Sequence, residues 1–117
     1  MLRAIRGAID VEKDEPQIIY AAATRLLQEL VEANNLEPGR DIISTFFTAT
    51  SDLKSAYPAK AARDMGWNNI PLMCMQEMEV QGSLPLCIRV LLHVDVSEDA
   101  VIKHVYLGKA KELRPDL

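Results

Sequence analysis

The sequence lacks any long run of apolar residues, and this absence sets the first limits on its function. No segment is long enough to span a bilayer as a helix. The opening stretch, MLRAIRGAID, lacks the apolar core of a secretory signal peptide, so we expect a cytoplasmic location and no membrane partner. Cysteine is scarce as well. Cys74 and Cys87 form no CxxC pair, and we expect free thiols in a reducing cytosol.

Several catalytic signatures are also missing. Neither GxGxxG nor the P-loop pattern GxxxxGKS/T occurs, which argues against the usual glycine-rich phosphate loops. The absence of a GxSxG elbow leaves Ser-His-Asp hydrolysis without support. The two histidines, His93 and His104, do not have the spacing of a metal motif, so we expect structural roles for them. We therefore predict no metal site built from these residues.

The length and charge of the chain limit the number of domains and the classes of binding partner. With 117 residues it can form one domain with a real core, and we predict a single domain over residues 1–117. The formal net charge is −4, which argues against a large nucleic-acid footprint. A local cluster of arginines can nevertheless bind a small carboxylate whatever the total charge.

Hydrophobic periodicity predicts the secondary structure. The predicted order is strand 2–9, helix 16–34, strand 41–50, helix 59–66, extended segment 70–80, strand 86–95 and strand 101–107. We expect Asp14 to cap the first helix and Gly7 to mark a bend or a close backbone approach. The order β-α-β-α-β-β-β predicts an α+β domain whose helices pack on one side of a mixed sheet. The other face would then be buried by oligomerisation.

The stretch CIRVLLHV, residues 87–94, raises a question about charge. Alternate residues of this stretch, Ile88, Val90, Leu92 and Val94, are apolar and predict the buried face of a strand. Arg89 lies in the middle of the opposite face. An unpaired buried guanidinium is very costly, so Arg89 must have an anion, a ligand or solvent beside it.

Other residues of the predicted strands and helices carry chemistry. Arg6 lies in the first strand, Arg63 on the short helix, Glu77 in an apolar extended segment and Tyr106 in the last strand. Each charge taken alone could be a surface residue. Together with Arg89, the arginines indicate an anion-binding site, for which a dicarboxylate is a candidate ligand.

Long ordered motifs also resemble a known family. RAIRGA, TSDLKSAYPAKAAR, PLMCMQEMEVQGSLPLCIRVLL, HVYL and LRPDL resemble the monofunctional chorismate mutases of the trimeric α/β-barrel-like class. The resemblance covers residues 3–117 and does not extend to the all-helical class. It implies a cofactor-free Claisen rearrangement of chorismate to prephenate, on the route to phenylalanine and tyrosine. It also implies a homotrimeric pseudo-barrel with each active site between two subunits.

Residue roles follow from the same resemblance. Arg89 matches the cation that faces the ether oxygen of the breaking bond. Arg6 matches a residue that binds a substrate carboxylate, and Tyr106 one that touches the side-chain carboxylate. Glu77 and Cys74 match the pair near the ring hydroxyl. Arg89, Glu77 and Cys74 are therefore the predicted catalytic residues.

The predicted substrate-binding residues extend beyond these. One set matches the loop and helix with which the neighbouring subunit walls the cleft: Tyr57, Ala59, Lys60 and Arg63. Leu72 and Met73 are further predicted substrate-binding positions. Leu113 and Arg114 match the start of a tail that helps to close the cleft.

Some positions depart from the family pattern. Tyr57 stands where phenylalanine is common, and Ala4 replaces the first glycine of RGIRGA. The sequence ends at Leu117, where relatives often continue, so we expect a shorter closing tail. Cys74 and Glu77 are three positions apart, which places them on opposite faces of a regular strand. If both face the ligand, the strand must be irregular at Met75 or Gln76.

Two alternatives belong to other functional classes. Cofactor-free deaminases of enamines and imines have a similar trimeric architecture and an arginine that binds carboxylate. MCMQEMEVQGSLPLCIRV resembles the mutases and not those deaminases. A non-catalytic trimer that senses a carboxylate is the second alternative. Such a protein would not need a cation at a bond that breaks.

Overall fold

The computed structural model describes residues 1–116 and combines one mixed sheet with helices. Its elements are β1 (Leu2–Asp10), α1 (Pro16–Ala33), α2 (Pro38–Asp41), β2 (Ile42–Ala49), α3 (Ala59–Asp64), β3 (Leu72–Gln76), β4 (Cys87–Asp95), β5 (Val105–Leu107) and a 3-10 helix (Gly108–Leu113). Leu117, the end of the predicted tail, lies outside the described residues. No helix within residues 1–116 has the length and apolarity needed to cross a membrane.

The strand order confirms the predicted mixed sheet. The order is β3-β2-β4-β1-β5, so β4 lies at the centre. β4 is antiparallel to both β1 and β2, whereas β3 is parallel to β2 and β5 is parallel to β1. The predicted α+β class is therefore confirmed, with β3 and β5 as the two edge strands of one chain.

The apolar core lies between the sheet and α1. On β4, Ile88, Val90, Leu92 and Val94 are almost completely buried, which confirms the predicted face. α1 contributes its apolar stripe to the same core: Ile19, Ala23, Leu26, Leu27 and Leu30. The opposite face of the sheet, which we call the open face, includes Arg89 because side chains alternate along a strand.

Gly7 marks a close backbone approach, as the sequence predicts. A Cβ atom at this position would lie 3.0 Å from the Leu30 side chain and 3.0 Å from the carbonyl oxygen of Val105. Glycine therefore lets α1 and β5 pack directly against β1. The packing fixes β1 as a rigid support for the residues on its open face.

The predicted cap at Asp14 is wrong. The N-cap position of α1 is Glu15, and its side chain makes no capping hydrogen bond. Asp14 instead accepts hydrogen bonds from the backbone N–H groups of Lys54 and Ser55 and from the Ser55 hydroxyl. The bond from that hydroxyl, above all, holds the pKa of Asp14 below its usual value. Asp14 thus anchors the loop that leads to Tyr57.

Two predicted extended segments are shorter in the structure, and the short helix α2 was not predicted. In α2, Asp41 accepts a 2.8 Å hydrogen bond from the backbone N–H of Glu37. The extended segment 70–80 is a strand only over Leu72–Gln76. The predicted strand 101–107 is a strand only over Val105–Leu107. At Lys103 the backbone is bound by a side chain and not by a neighbouring strand. The side-chain oxygen of Asn34 accepts a hydrogen bond from the backbone N–H of Lys103, and the side-chain amide of Asn34 donates one to the Lys103 carbonyl oxygen.

Thr45 is a buried polar residue whose replacement should stabilise the fold. It is 1% exposed on the α1 side of β2, and its hydroxyl has no hydrogen-bond partner within residues 1–116. We expect Thr45→Val to raise the free energy of unfolding by about 1 kcal/mol, since it removes an unsatisfied polar group without changing shape. Urea unfolding measures this difference.

A matched threonine on the same segment supplies the control for that measurement. The Thr50 hydroxyl accepts the N–H of Cys87 at 3.0 Å and donates to Asp52. Thr50→Val should therefore lower the free energy of unfolding. An equal loss of stability in both variants would contradict the role assigned to the unsatisfied hydroxyl of Thr45.

Candidate active site

A row of side chains crosses the open face at one level of the sheet. The strand registers align Met75 of β3, Thr48 of β2, Arg89 of β4, Ala8 of β1 and Tyr106 of β5. Each partner in such a register projects to the same face. The small side chain of Ala8 separates Arg89 from Tyr106. The sheet therefore presents the central arginine at the middle of a rigid five-strand platform.

Arg89 has both an anion and solvent beside it. Its side chain is 42% exposed, and its Nε lies 3.2 Å from Oε1 of Glu77. The Nε atom itself is buried and makes no hydrogen bond within the described chain, because the N–H bond is not aligned with that oxygen. The guanidinium is thus charge-compensated yet retains a buried donor that is not used. Because 42% of the Arg89 side chain is exposed, the rest of the guanidinium can face a ligand.

Glu77 is held in place from three directions. It follows the last residue of β3, and its backbone N–H donates to the carbonyl oxygen of Ala49 at 2.9 Å. The hydroxyl of Thr48 donates to its Oε1 at 2.8 Å. Its Oε2 accepts the backbone N–H of Met78 at 3.2 Å. The carboxylate is therefore a fixed negative charge beside Arg89.

Arg6 lies on the same face, two residues before Ala8 along β1. It is exposed and pairs across β1 and β4 with Leu91. Its backbone N–H donates to Nδ1 of His104 at 2.9 Å, so the ring replaces a strand carbonyl just before β5 begins. The bond confirms the structural role predicted for His104. It also fixes the backbone from which the Arg6 guanidinium extends.

The segment after β5 covers one end of the row. Tyr106 and Leu113 pack against a small buried cluster of Ala8, Cys87 and Ala110. Burial raises the pKa of the Tyr106 phenol, although the charge of Arg89 acts in the opposite direction. The phenol therefore remains a neutral hydrogen-bond donor at physiological pH.

Arg114 lies beyond that cluster and lines a shallow groove with Tyr106. Its guanidinium pairs with Asp116 through bonds of 3.1 Å and 2.9 Å. These bonds raise the pKa of Arg114, which remains charged. The structure therefore brings the predicted tail residues Leu113 and Arg114 to the same end of the open face as Tyr106.

Cys87 should make the stability of the protein depend on pH in the alkaline range. It is 2% exposed, and burial raises the pKa of its thiol from 9.0 to about 11, against the opposing charge of Arg89. Above pH 9 the unfolded chain loses this proton while the folded chain keeps it, so stability falls as pH rises toward 11. We expect a steeper fall between pH 9 and 11 in the natural protein than in Cys87→Ala.

Urea midpoints measured for both proteins at pH 8 and pH 10.5 test this expectation. The other ionisable side chains are the same in both proteins, so their contributions largely cancel in the difference. Parallel curves for the two proteins would show that the Cys87 thiol titrates alike in the folded and unfolded chains.

A second group of predicted residues lies along α3 and the loop before it. Tyr57 is 71% exposed, whereas Ala59 is buried. Lys60 forms a 2.8 Å ion pair with Asp64, and its ammonium lies 5.0 Å from the centre of the Tyr20 ring. The Asp64 carboxylate raises the pKa of Lys60. This segment presents positive charge to solvent on a short, well-anchored helix.

Arg63 and Cys74 belong to this second group. Arg63 is exposed and makes no ion pair within residues 1–116. Cys74 lies on the α1 side of β3, near Ala59 and Arg63, and burial raises the pKa of its thiol. The thiol is therefore a neutral group at physiological pH. Of the neighbouring predicted residues, Leu72 packs against the core, whereas Met73 is 54% exposed on the open face.

The predicted irregularity at Met75 or Gln76 is wrong. β3 pairs with β2 without a register shift through Gln76, and the strand ends there. Cys74 and Glu77 consequently lie on opposite faces of the sheet within one chain. An uninterrupted strand over residues 72–79, which would also have opposed the prediction, is not present either.

The predicted residues therefore fall into two groups in one chain. The first group lies on the open face: Arg6, Glu77, Arg89, Tyr106, Leu113 and Arg114. The second lies on α3, its preceding loop and β3: Tyr57, Ala59, Lys60, Arg63, Leu72, Met73 and Cys74. Within residues 1–116, no hydrogen bond or ion pair joins the two groups. Over the same range, no cluster of three His, Cys, Asp or Glu side chains is arranged to hold a metal ion.

Sequence analysis missed Thr48, which contacts the Glu77 carboxylate directly. A signal for it was present in the sequence. Phe46 and Thr48 alternate with buried Thr45 and Phe47 along β2, so Thr48 had to lie on the face of Arg89. A hydroxyl at that position is a natural partner for a carboxylate.

Comparisons with known proteins extend over the whole chain. A family model described as chorismate mutase type I matches residues 2–117. The chorismate mutase AroH of Thermus thermophilus is 47% identical, covering 100% of this chain and 97% of the relative. That of Bacillus subtilis (strain 168) is 46% identical, covering 100% and 93%. The solved structure of a chorismate mutase from Clostridium thermocellum aligns with a TM-score of 0.90 at 51% identity, covering 94% of this chain and 98% of that one.

Proposed function

The chain belongs to the chorismate mutase type I family, and on that premise we propose that it isomerises chorismate to prephenate in phenylalanine and tyrosine biosynthesis. The reaction is a Claisen rearrangement within one molecule, in which a C–O bond breaks while a C–C bond forms. It needs no external acid, base or covalent intermediate. The observation that carries the proposal is the partly exposed guanidinium of Arg89, paired with Glu77 at the centre of the rigid open face.

Arg89 supplies electrostatic stabilisation in the proposed mechanism. As the C–O bond stretches, negative charge develops on the ether oxygen. A fixed guanidinium beside that atom stabilises the transition state more than the ground state. The central strand β4 holds Arg89 with pairing on both sides, so little reorganisation is needed during the reaction.

The remaining polar groups hold the substrate in its reactive shape. Chorismate is a flexible dianion that must adopt a compact, chair-like conformation. Arg6 and Tyr106 are proposed to bind its carboxylates, and Glu77 its ring hydroxyl. Positioning of this kind lowers the barrier because the entropy of ordering is lost on binding. Their placement around Arg89 on one face supports these roles.

Arg89 should not act alone. A millionfold acceleration needs roughly 8 kcal/mol, whereas one preorganised donor typically supplies about 3 to 4 kcal/mol. The difference must come from the groups that orient and bind the substrate. Within one chain, the residues proposed for that task are divided between two separate groups.

We propose that two subunits of a homotrimer complete each site. The loop and helix with Tyr57, Lys60 and Arg63 would then face the Arg89 side of a neighbour. Cys74 belongs to that second contribution, since it lies beside Ala59 and on the opposite face from Glu77. Exposed methionines on the open face and at the β3 edge, Met73, Met75 and Met78, support an interface there. Leu113 and Arg114 are proposed to close one end.

The test of the function is direct. Purified protein is mixed with chorismate, with and without a chelator, and chorismate absorbance and prephenate formation are followed. Saturable conversion in both samples is the expected result. No conversion by a folded protein would favour the deaminase or the carboxylate sensor, although the full-length similarity to chorismate mutases favours neither alternative. A cytoplasmic location stays a prediction from the sequence.

A further inference from the structure

Oε1 of Glu77 has two neighbours that compete for it. The Thr48 hydroxyl donates to this oxygen at 2.8 Å. The Nε of Arg89 lies 3.2 Å from the same oxygen, with its N–H bond out of alignment. Thr48 and Arg89 are register partners on adjacent strands, so both approach the carboxylate from fixed positions.

We propose that Thr48 is a positioning residue that keeps Glu77 from capturing the Nε–H of Arg89. The hydroxyl holds Oε1 in an orientation where the charges attract but the N–H stays free. A carboxylate and a guanidinium otherwise tend to close into a direct, often bidentate pair. Such a pair would turn the guanidinium of Arg89 toward Glu77 and away from the substrate. The proposal rests on the function proposed above for Arg89.

The rest of the surroundings leaves Thr48 as the group that decides the orientation. Over residues 1–116, the other carboxylate oxygen, Oε2, accepts only the N–H of Met78 at 3.2 Å, and Met78 is the next residue in the same loop. The backbone bond from Glu77 to Ala49 fixes the main chain but leaves the side-chain torsions free. Removing the Thr48 hydroxyl therefore frees Oε1 to turn toward Arg89.

Thr48→Val tests the proposal because it removes the hydroxyl and keeps the side-chain shape. We expect kcat to fall by about tenfold to a hundredfold, the usual range for one charge-assisted hydrogen bond. KM should change much less, since the ether oxygen gains its charge only in the transition state. Thr48→Ser keeps the hydroxyl and should retain most of the activity.

Thr45→Val is the matched control. It is the same substitution on the same strand, but on the opposite face and away from Glu77. Its kcat should equal that of the natural protein. An equal loss of kcat in Thr45→Val and Thr48→Val would indicate a general effect on β2 and overturn the proposal.

A double-mutant cycle distinguishes positioning from a general structural role. Glu77→Gln removes the negative charge, so adding Thr48→Val to that variant should change kcat less than about twofold. Multiplication of the two separate losses would overturn the proposal. Full activity of the single Thr48→Val variant would do so as well.

A spectroscopic measurement does not depend on turnover. The Nε–H signal of Arg89 is assigned by its loss in Arg89→Lys, in proton-nitrogen spectra of the unliganded protein. In Thr48→Val this signal should move to the shift of a hydrogen-bonded N–H, and its solvent exchange should slow. An unchanged signal overturns the proposal even if chorismate is not the substrate. Failure of the natural protein to convert chorismate would instead count against the proposed function.

Discussion

Arg89→Lys should lower kcat by about a hundredfold to a thousandfold, the effect expected for loss of one preorganised donor. Lysine keeps the positive charge but loses the planar guanidinium and its Nε–H group. Lysine also has a flexible ammonium that can pair fully with Glu77, 3.2 Å from the present Nε. The charge would then be satisfied within the protein rather than by the substrate.

The fold should tolerate this change. Glu77 keeps a cationic neighbour, and the 42% exposure of the Arg89 side chain allows water to solvate the new ammonium. Initial rates of chorismate loss measure kcat, while circular dichroism and light scattering report folding and assembly. Near-normal turnover would remove Arg89 from the central role.

Arg25→Lys provides a matched control for this experiment. Arg25 lies on the exposed side of α1 and forms a surface pair with Glu29 at 2.9 Å. Exposed pairs of this type contribute little to stability. The control should therefore keep both the turnover and the stability of the natural protein. A loss of turnover confined to Arg89→Lys would then be due to the position of Arg89 and not to an arginine-to-lysine change in general.

The sequence predicted the faces of strands better than the contacts between them. Alternation along residues 87–94 correctly separated buried Val90 from Arg89. The same period-two rule places Cys74 and Glu77 on opposite faces of β3. The predicted irregularity at Met75 or Gln76 was wrong because it assumed that both side chains face the ligand from one chain. Periodicity is a local property, so a single strand is sufficient to show it.

Pairings between distant segments were not predictable from one sequence. Asp14 has the residue type and position of a helix cap, but its oxygen is used by Lys54 and Ser55. Glu77 meets Thr48 only because β3 adds to β2 in parallel with a particular register. Such contacts depend on strand order, which neither composition nor periodicity specifies.

Mixing two inactive variants should restore activity if each site is shared between subunits. Arg89→Lys impairs one contribution to the cleft. Arg63→Ala impairs the other, and Arg63 makes no ion pair within residues 1–116 that its loss would break. In an equal mixture of exchanged subunits, about a quarter of the clefts combine two intact contributions, so we expect about a quarter of the natural activity.

The experiment needs exchange and a check of assembly. The two variants are unfolded together in urea and refolded, and light scattering should report about three times the 13.1 kDa mass of one chain. Activity should recover after joint unfolding and refolding, but not immediately after the two folded variants are mixed. That difference would show that mixed trimers must form. A stable, active monomer would contradict the shared cleft.

A second mixture provides the control that decides the geometry. Arg89→Lys and Glu77→Gln alter the same contribution, since the two side chains lie 3.2 Å apart in one chain. Every cleft in their mixed trimers contains one of the two changes, so no recovery is expected. Equal recovery in both mixtures would mean that refolding itself restores activity. Recovery only in the mixture that contains Arg63→Ala would assign Arg63 and Arg89 to different subunits of one site.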